Sequence, residues 1–216
     1  MKLVIISGLS GSGKSSAVKA GLIPSLRQGG LPGSEHWFIV EFTPGSHPFE
    51  ELETALLRVA VNPPESLLAQ LQEDERGLLR ALRRILPPDS TTELVLVIDQ
   101  FEELFTLTEH SADREAFLDG LCTAVNEPQN QLRLVITLRA DHYDRPLQHP
   151  ALGELIRNNT EIVLPLSDDE LEQAISGPAV QTGLRLESGL LQSIQNDIRQ
   201  EPGALPLLQY ALTELF

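Results

Sequence analysis

Short apolar runs alternate along the chain with longer stretches in which apolar residues recur every three or four positions. Uninterrupted apolar runs are typical of strands buried on both faces of a sheet, and the longer periodicity is typical of amphipathic helices. The predicted strands are Leu3–Ser7, Trp37–Phe42, Leu94–Ile98, Leu132–Leu138 and Glu161–Leu164. Because strands alternate with helices, the pattern predicts an α/β fold with a parallel five-stranded sheet flanked by helices. The strand order expected for it is 5-1-4-3-2.

The longest connection joins the second and third strands. Pro63–Pro64 predicts its division into two helices, because proline cannot donate the hydrogen bond of a helix interior.

After Leu164 the pattern becomes entirely helical. Ser167 and Glu170 have the spacing of a capping box, and Gly177–Pro178 is expected to end the helix that they start. We therefore predict an α/β core at residues 1–165 and a small all-helical lid subdomain at residues 166–216. The amphipathic final helix suggests that this lid is followed by further chain.

Composition narrows the classes of partner. The chain has 216 residues and a net charge of −15, from 31 acidic and 16 basic residues. This charge repels phosphate backbones and anionic membrane surfaces, so neither nucleic acid nor membrane is an expected partner. Cys122 is the single cysteine and is interpreted as a buried hydrophobe. The first apolar run is too short for a signal peptide, and a cytoplasmic location is expected.

The segment GLSGSGKSS follows the first predicted strand and matches the phosphate-loop pattern G-x-x-x-x-G-K-[ST]. Glycines let the backbone curl so that successive N–H groups converge on an anion. Lys14 would reach the β- and γ-phosphates, and the Ser15 hydroxyl would bind Mg²⁺. The residues expected to contact nucleotide here are Gly8, Ser10, Gly11, Ser12, Gly13, Lys14, Ser15 and Ser16.

Asp99 ends the third predicted strand, in LVLVIDQFEELF. An acid at the carboxyl end of a buried strand, beside a phosphate loop, can hold Mg²⁺ and its water shell. The other interpretation is that Asp99 caps the helix that begins near Phe101, and the two roles are compatible. Ser15 and Asp99 are the candidate metal ligands.

The sequence offers two candidates for the acid that would activate water. Many ATPases of this class place a second acid directly after the first, but Gln100 occupies that position and cannot accept a proton. Glu102 and Glu103 follow within one helical turn. They either point back towards the site or form a solvated helical face, and slow hydrolysis is expected.

The fourth strand, in LRLVITLRADHYD, ends in Thr137, Arg139 and Asp141. In the expected strand order its tip lies beside the Asp99 strand, so a polar residue there would face the γ-phosphate. Arg139 is the candidate sensor of that phosphate, and an ion pair of Arg139 with Asp141 is the structural alternative.

Five segments in this order resemble the NTPase module of the STAND class, and in particular the novel STAND NTPase group found next to WD40 repeats in bacteria. They are GLSGSGKSSAVKAGLIPSL, LVIDQFEELFT, VITLRADHYD, PLSDDELEQAISGPAVQTGL and EPGALPLLQYALTELF. The resemblance implies an ATP-binding switch whose partners are ATP or ADP and other domains of the same polypeptide, a winged helix and a sensor or repeat domain. Homo-oligomerisation on activation is among the properties that it allows.

The resemblance also assigns roles. Lys14 and Ser15 would hold phosphate and Mg²⁺, Asp99 would serve the metal, and Arg139 would be the sensor. Pro206, in the segment GALP, would lie near the bound nucleotide. Ala204 stands where many members have a second glycine.

The sequence thus predicts a regulatory ATPase of low turnover. Two other functions share the same phosphate loop: a small-molecule kinase, and a nucleotide-bound scaffold that does not hydrolyse.

Overall fold

A parallel five-stranded sheet forms the centre of the computed structural model, which describes residues 2–60, 65–87, 92–200, 203 and 205–215. The strands are β1 Leu3–Gly8, β2 Phe38–Phe42, β3 Leu94–Ile98, β4 Leu132–Arg139 and β5 Thr160–Ile162. Their order is β2-β3-β4-β1-β5, which is 5-1-4-3-2 counted from the opposite edge. The pairs β1–β5, β2–β3 and β3–β4 are parallel. The predicted α/β fold class is confirmed.

Helices connect the strands and continue to the end of the described chain. They are α1 Lys14–Ser16, α2 Ile23–Arg27, α3 Pro48–Leu57, α4 Leu67–Gln72, α5 Gly77–Ile85, α6 Glu103–Thr106, α7 Ser111–Asn126, α8 Pro150–Asn159, α9 Asp168–Thr182, α10 Leu190–Gln200 and α11 Leu205–Leu215. A π-helical segment, Ala17–Leu22, joins α1 to α2. Among the described residues, no helix is long and apolar enough to cross a membrane.

Strand β3 is buried along its whole length and supplies both faces of the core. Leu94, Leu96 and Ile98 belong to the larger apolar cluster, whereas Val95 and Val97 belong to a second cluster on the opposite face. This alternation follows from the two-residue period of a strand and explains why the sequence of β3 is apolar throughout.

The described residues between β2 and β3 form three helices, α3, α4 and α5, so the prediction of two helices is wrong. The break between α4 and α5 is local: the Asp74 carboxylate accepts a hydrogen bond from the Arg76 N–H at 2.7 Å. Such side-chain bonds to the backbone compete with helix formation. Gly77 permits the tight turn, because a Cβ there would lie 2.4 Å from the Gln70 carbonyl oxygen. Pro63–Pro64 lie outside the described residues.

Helix α9 starts at the predicted capping box, where Ser167 and Glu170 bond reciprocally. The prediction that Gly177–Pro178 ends this helix is wrong, since α9 continues to Thr182. Pro178 faces solvent, where water can bind the carbonyl that its missing N–H leaves open. The buried Ile175 and Ala179 hold the helix on either side of it. The helix ends instead at Gly183, whose φ of 74° is left-handed.

Contacts divide the chain into two compact units. The core unit, residues 1–7 and 15–162, contains the sheet. The helical unit consists of residues 8–14 and 163–216 and has its own small apolar cluster around Leu171, Ile175 and Leu208. The lid boundary predicted at residue 165 stays a prediction.

Cys122 lies in α7 with 5% exposure, and burial raises the pKa of its thiol to about 11. Its interpretation as a buried hydrophobe is confirmed, because a thiol with so high a pKa is not reactive near neutral pH.

Candidate functional site

The loop Gly8–Lys14 folds back on its own carbonyl groups. The Ser12 N–H donates to the Leu9 carbonyl at 3.2 Å. The Lys14 ammonium donates to the carbonyls of Gly8 and Leu9, at 3.1 and 2.8 Å. The lysine side chain is 8% exposed, so its charge is held against the loop.

Glycines shape this loop at three positions. Gly11 and Gly13 have φ values of 70° and 91°, in the left-handed region that glycine favours. A Cβ on Gly8 would lie 2.6 Å from the Ser12 Oγ, so glycine is required for the close approach. Ser10 and Ser16 are exposed.

The loop residues fit a phosphate group. Ser12 Oγ is buried and has no hydrogen-bond partner among the described atoms, which is a cost that a bound acceptor would remove. A buried ammonium from Lys14 lies on the same loop. A polyanion with several oxygens suits such donors, as in phosphate-binding nests.

Gly203 packs backbone against backbone on this loop, within the helical unit. An ideal Cβ on Gly11 would lie 2.4 Å from the Gly203 carbonyl oxygen, and one on Gly203 would lie 2.9 Å from the Ser10 carbonyl oxygen. The φ of Gly203 is 88°. Pro206 lies exposed in the first turn of α11, and Ala204 lies outside the described residues. Gly203, the first residue of the GALP segment, therefore makes a close backbone approach to the loop.

Asp99, directly after β3, has three polar side chains around its carboxylate. Its Oδ1 accepts hydrogen bonds from the Ser15 hydroxyl at 2.7 Å and the Thr137 hydroxyl at 2.6 Å. Its Oδ2 lies 3.1 Å from the Lys19 ammonium. Burial alone would raise the pKa of Asp99, but hydrogen bonds from Thr137, Ser15 and Lys19 hold it below its usual value. Asp99 is therefore ionised near neutral pH.

The pair of Ser15 and Asp99 fits a magnesium ion, which prefers hydroxyl and carboxylate oxygens. Among the described residues no group of three or more His, Cys, Asp or Glu side chains could hold a metal by itself. A Mg²⁺ site with one carboxylate is normally completed by substrate phosphates and water.

Thr137, on β4, holds two neighbours in place. Besides bonding Asp99, its hydroxyl accepts from the Gln100 N–H at 2.9 Å, and its carbonyl accepts from the Phe101 N–H at 3.0 Å. Gln100 has a φ of 54°, which is uncommon for a residue other than glycine. Sequence reasoning had only placed a polar residue at this strand tip. The missed signal is a hydroxyl inside an otherwise apolar strand.

The two acids after Gln100 have different environments. Glu102 is 8% exposed, and its carboxylate accepts from the Arg139 N–H at 3.3 Å. Burial and then the negative charges of Glu102 and Asp99 raise the pKa of Glu103, although a backbone hydrogen bond from Gly45 lowers it. Glu102 is thus buried rather than part of a solvated face.

Arg139 forms a two-point ion pair with Asp141, with nitrogen–oxygen distances of 3.1 and 2.7 Å. The structure therefore contains the Arg139–Asp141 ion pair that is the alternative to phosphate sensing, and the sensor role stays a prediction. Asp99, Ser15 and Thr137 are in direct contact, whereas the Arg139 guanidinium is engaged with Asp141.

The model of one protein family, described as Novel STAND NTPase 1, matches residues 1–216. The chain belongs to this family. It is a nucleotide-binding NTPase module. The resemblance inferred from the sequence is confirmed.

Solved structures similar to this STAND NTPase show the same fold at low identity. Hsp104 of S. cerevisiae in complex with casein matches with a TM-score of 0.59 and 16% identity, over 100% of this chain and 34% of that one. The ADP form of Aeropyrum pernix ORC2 matches with 0.52 and 12%, over 83% and 46%. AMPPCP-bound DnaA from Aquifex aeolicus matches with 0.51 and 10%, over 89% and 49%. The chain thus spans less than half of each. No curated protein matches it.

Replacing Thr137 should lower the unfolding free energy of the STAND NTPase, because Thr137 bonds Asp99. Thr137→Val keeps the shape but leaves the Gln100 N–H without its partner and removes one of the two hydrogen bonds to Asp99 Oδ1, so we expect a loss of about 1–3 kcal/mol in unfolding free energy. Thr137→Ser keeps the hydroxyl and should lose less than Thr137→Val. Urea denaturation of both variants measures the difference, and equal losses would show that the hydroxyl contributes nothing.

Substituting Gly203 should disturb the phosphate loop. Gly203→Ala adds a Cβ that meets the Ser10 carbonyl, whereas Gly189→Ala at a similar φ of 87° meets nothing within 4 Å. Both variants carry left-handed strain of about 1–2 kcal/mol. Only Gly203→Ala should also weaken nucleotide binding, as measured by calorimetric titration. Identical affinities in the two variants would contradict a role for this contact.

Proposed function

We propose that this module is a Mg²⁺-dependent ATP-binding switch that hydrolyses ATP slowly. The observation that carries the proposal is the ionised, buried Asp99 held by the hydroxyl of Ser15, the residue that directly follows the loop lysine. A hydroxyl and a carboxylate in contact, next in sequence to a phosphate loop, are what a metal-bound nucleotide requires.

Binding of the nucleotide would rest on the loop. Lys14 would exchange its carbonyl partners for β- and γ-phosphate oxygens, and the Ser12 hydroxyl would gain a partner. Ser15 and Asp99 would hold Mg²⁺, which supplies charge neutralisation on the phosphates when bound. The identity of the bound base as adenine is supported by the fold that this chain shares with AMPPCP-bound DnaA and the ADP form of ORC2.

The proton taken from water would go to Glu103. Gln100 cannot accept it, and the Glu102 carboxylate is bonded to the Arg139 backbone. Burial and the charges of Glu102 and Asp99 raise the pKa of Glu103, and a general base is more effective when its pKa approaches the working pH. The usual position of the catalytic acid, directly after Asp99, is occupied by Gln100. Placement of the base at Glu103 instead supports slow hydrolysis.

The switch would act through the loop. Gly203 packs on Gly11 and Ser10. Phosphate binding that changes the loop conformation would therefore also move the helices packed on the loop, and these helices would act as a lid. Attached domains, a winged helix and a repeat domain, would relay the change, with Arg139 released from Asp141 to sense the γ-phosphate. Ordering of segments by a γ-phosphate and Mg²⁺ is an established way to switch.

Lys14→Ala should weaken ATP binding at least about a hundredfold, because it removes a charged donor to the phosphates. Lys2→Ala is the matched control, since Lys2 also donates to main-chain carbonyls, of Glu127, Pro128 and Asn130. Calorimetric titration with MgATP measures both. Unchanged affinity in Lys14→Ala would refute the phosphate loop as the binding site.

Glu103→Gln should lower the rate of phosphate release by at least about a hundredfold while ATP still binds, because it removes a general base. Glu102→Gln keeps an oxygen for the Arg139 N–H and should lose less. Phosphate release is measured for each with and without added hydroxyl acceptors. ADP formation that requires an acceptor would indicate a kinase, and tight binding without release would indicate a scaffold.

A further inference from the structure

Lys19 pairs with the carboxylate oxygen of Asp99 that the two hydroxyl donors do not bond. Ser15 and Thr137 both bond Oδ1, whereas Lys19 lies 3.1 Å from Oδ2. The carboxylate therefore has one oxygen used by neutral donors and one oxygen paired with a cation.

The helix that follows the phosphate loop delivers both contacts. Ser15 lies in α1, and Lys19 lies four residues later in the π-helical segment Ala17–Leu22. Residues four apart share a helix face, and π-helical turns are frequent at functional sites. One helix face thus places a hydroxyl on Oδ1 and an ammonium on Oδ2.

The two partners of this ion pair differ in burial. The Asp99 side chain is 6% exposed, and the Lys19 side chain is 49% exposed. A buried carboxylate needs compensation for its charge, since an unpaired buried ion is costly. A half-exposed lysine can leave into water at little cost, because its ammonium is readily hydrated. Lys19 is therefore a cation that Asp99 can exchange.

We propose that Lys19 is a resident counter-cation of Asp99 that Mg²⁺ displaces, and that it sets the Mg²⁺ concentration at which the nucleotide complex forms. The inference rests on the proposed function, since it concerns the same carboxylate. In the nucleotide-free protein Lys19 neutralises Asp99 and keeps the buried charge compensated. When Mg²⁺ arrives with nucleotide, the two cations compete for one carboxylate, and the ammonium moves to solvent.

The test is a Mg²⁺ titration of ADP binding, with fluorescently labelled ADP as the probe. Lys19→Met removes the competing cation, so the Mg²⁺ concentration at half-saturation should fall about two- to fivefold. The affinity for ADP in EDTA should not change. Lys19→Arg keeps a cation and should behave like the unchanged protein. Arg27→Gln, which removes an exposed charge from α2, should leave the midpoint unchanged.

A second readout needs no nucleotide. Without Lys19, Asp99 is left uncompensated, so the thermal midpoint of Lys19→Met should be lower than that of Lys19→Arg. If Lys19→Met does not fold, Lys19→Gln replaces it in both measurements.

Two results would overturn the inference. A Mg²⁺ midpoint in Lys19→Met equal to that of the unchanged protein would show that no competition exists. Equal weakening of ADP binding with and without Mg²⁺ would show that Lys19 contacts phosphate instead. Failure of the unchanged protein to bind ADP at all would refute the proposed function itself, which is a different observation.

Discussion

Keeping a charge on Asp99 while it is 4% exposed is the constraint on which the rest of the site depends. Burial alone raises the pKa of Asp99, and hydrogen bonds from Thr137, Ser15 and Lys19 together with the Lys19 charge lower it. The sheet order that puts β4 beside β3 brings the Thr137 hydroxyl to this carboxylate. The fold and the charge state of one atom group are therefore linked.

Much of the fold could be predicted because its information is local. The five strands are short apolar runs, and the ends that the structure gives them lie within two residues of the predicted ones. Helix ends were harder to predict. The break after α4 depends on a bond from the Asp74 carboxylate, and the continuation of α9 depends on the burial of Ile175 and Ala179 around Pro178. Single residues with two competing roles do not reveal which one tertiary packing selects.

The candidate site also has one part that the sequence predicts and one part that it does not. The glycine loop and Asp99 are readable because one is a contiguous motif and the other ends an apolar strand. The roles of Thr137 and Lys19 were not predictable, since they arise from contacts between segments far apart in sequence. A threonine in a strand and a lysine in a helix are unremarkable until the sheet order is known. The ion pair of Arg139 and Asp141 is the opposite case, because the two residues are close in sequence and the pair could be predicted from the sequence alone.

The division of the chain into units has a consequence for modularity. The chain passes between the two units after Ser7, after Lys14 and after Ile162. The helical unit is therefore not a contiguous piece of polypeptide. A fragment spanning residues 163–216 would lack the seven loop residues whose backbone Gly203 packs against. Excising residues 163–216 alone would therefore leave Gly203 without the loop backbone that it packs against.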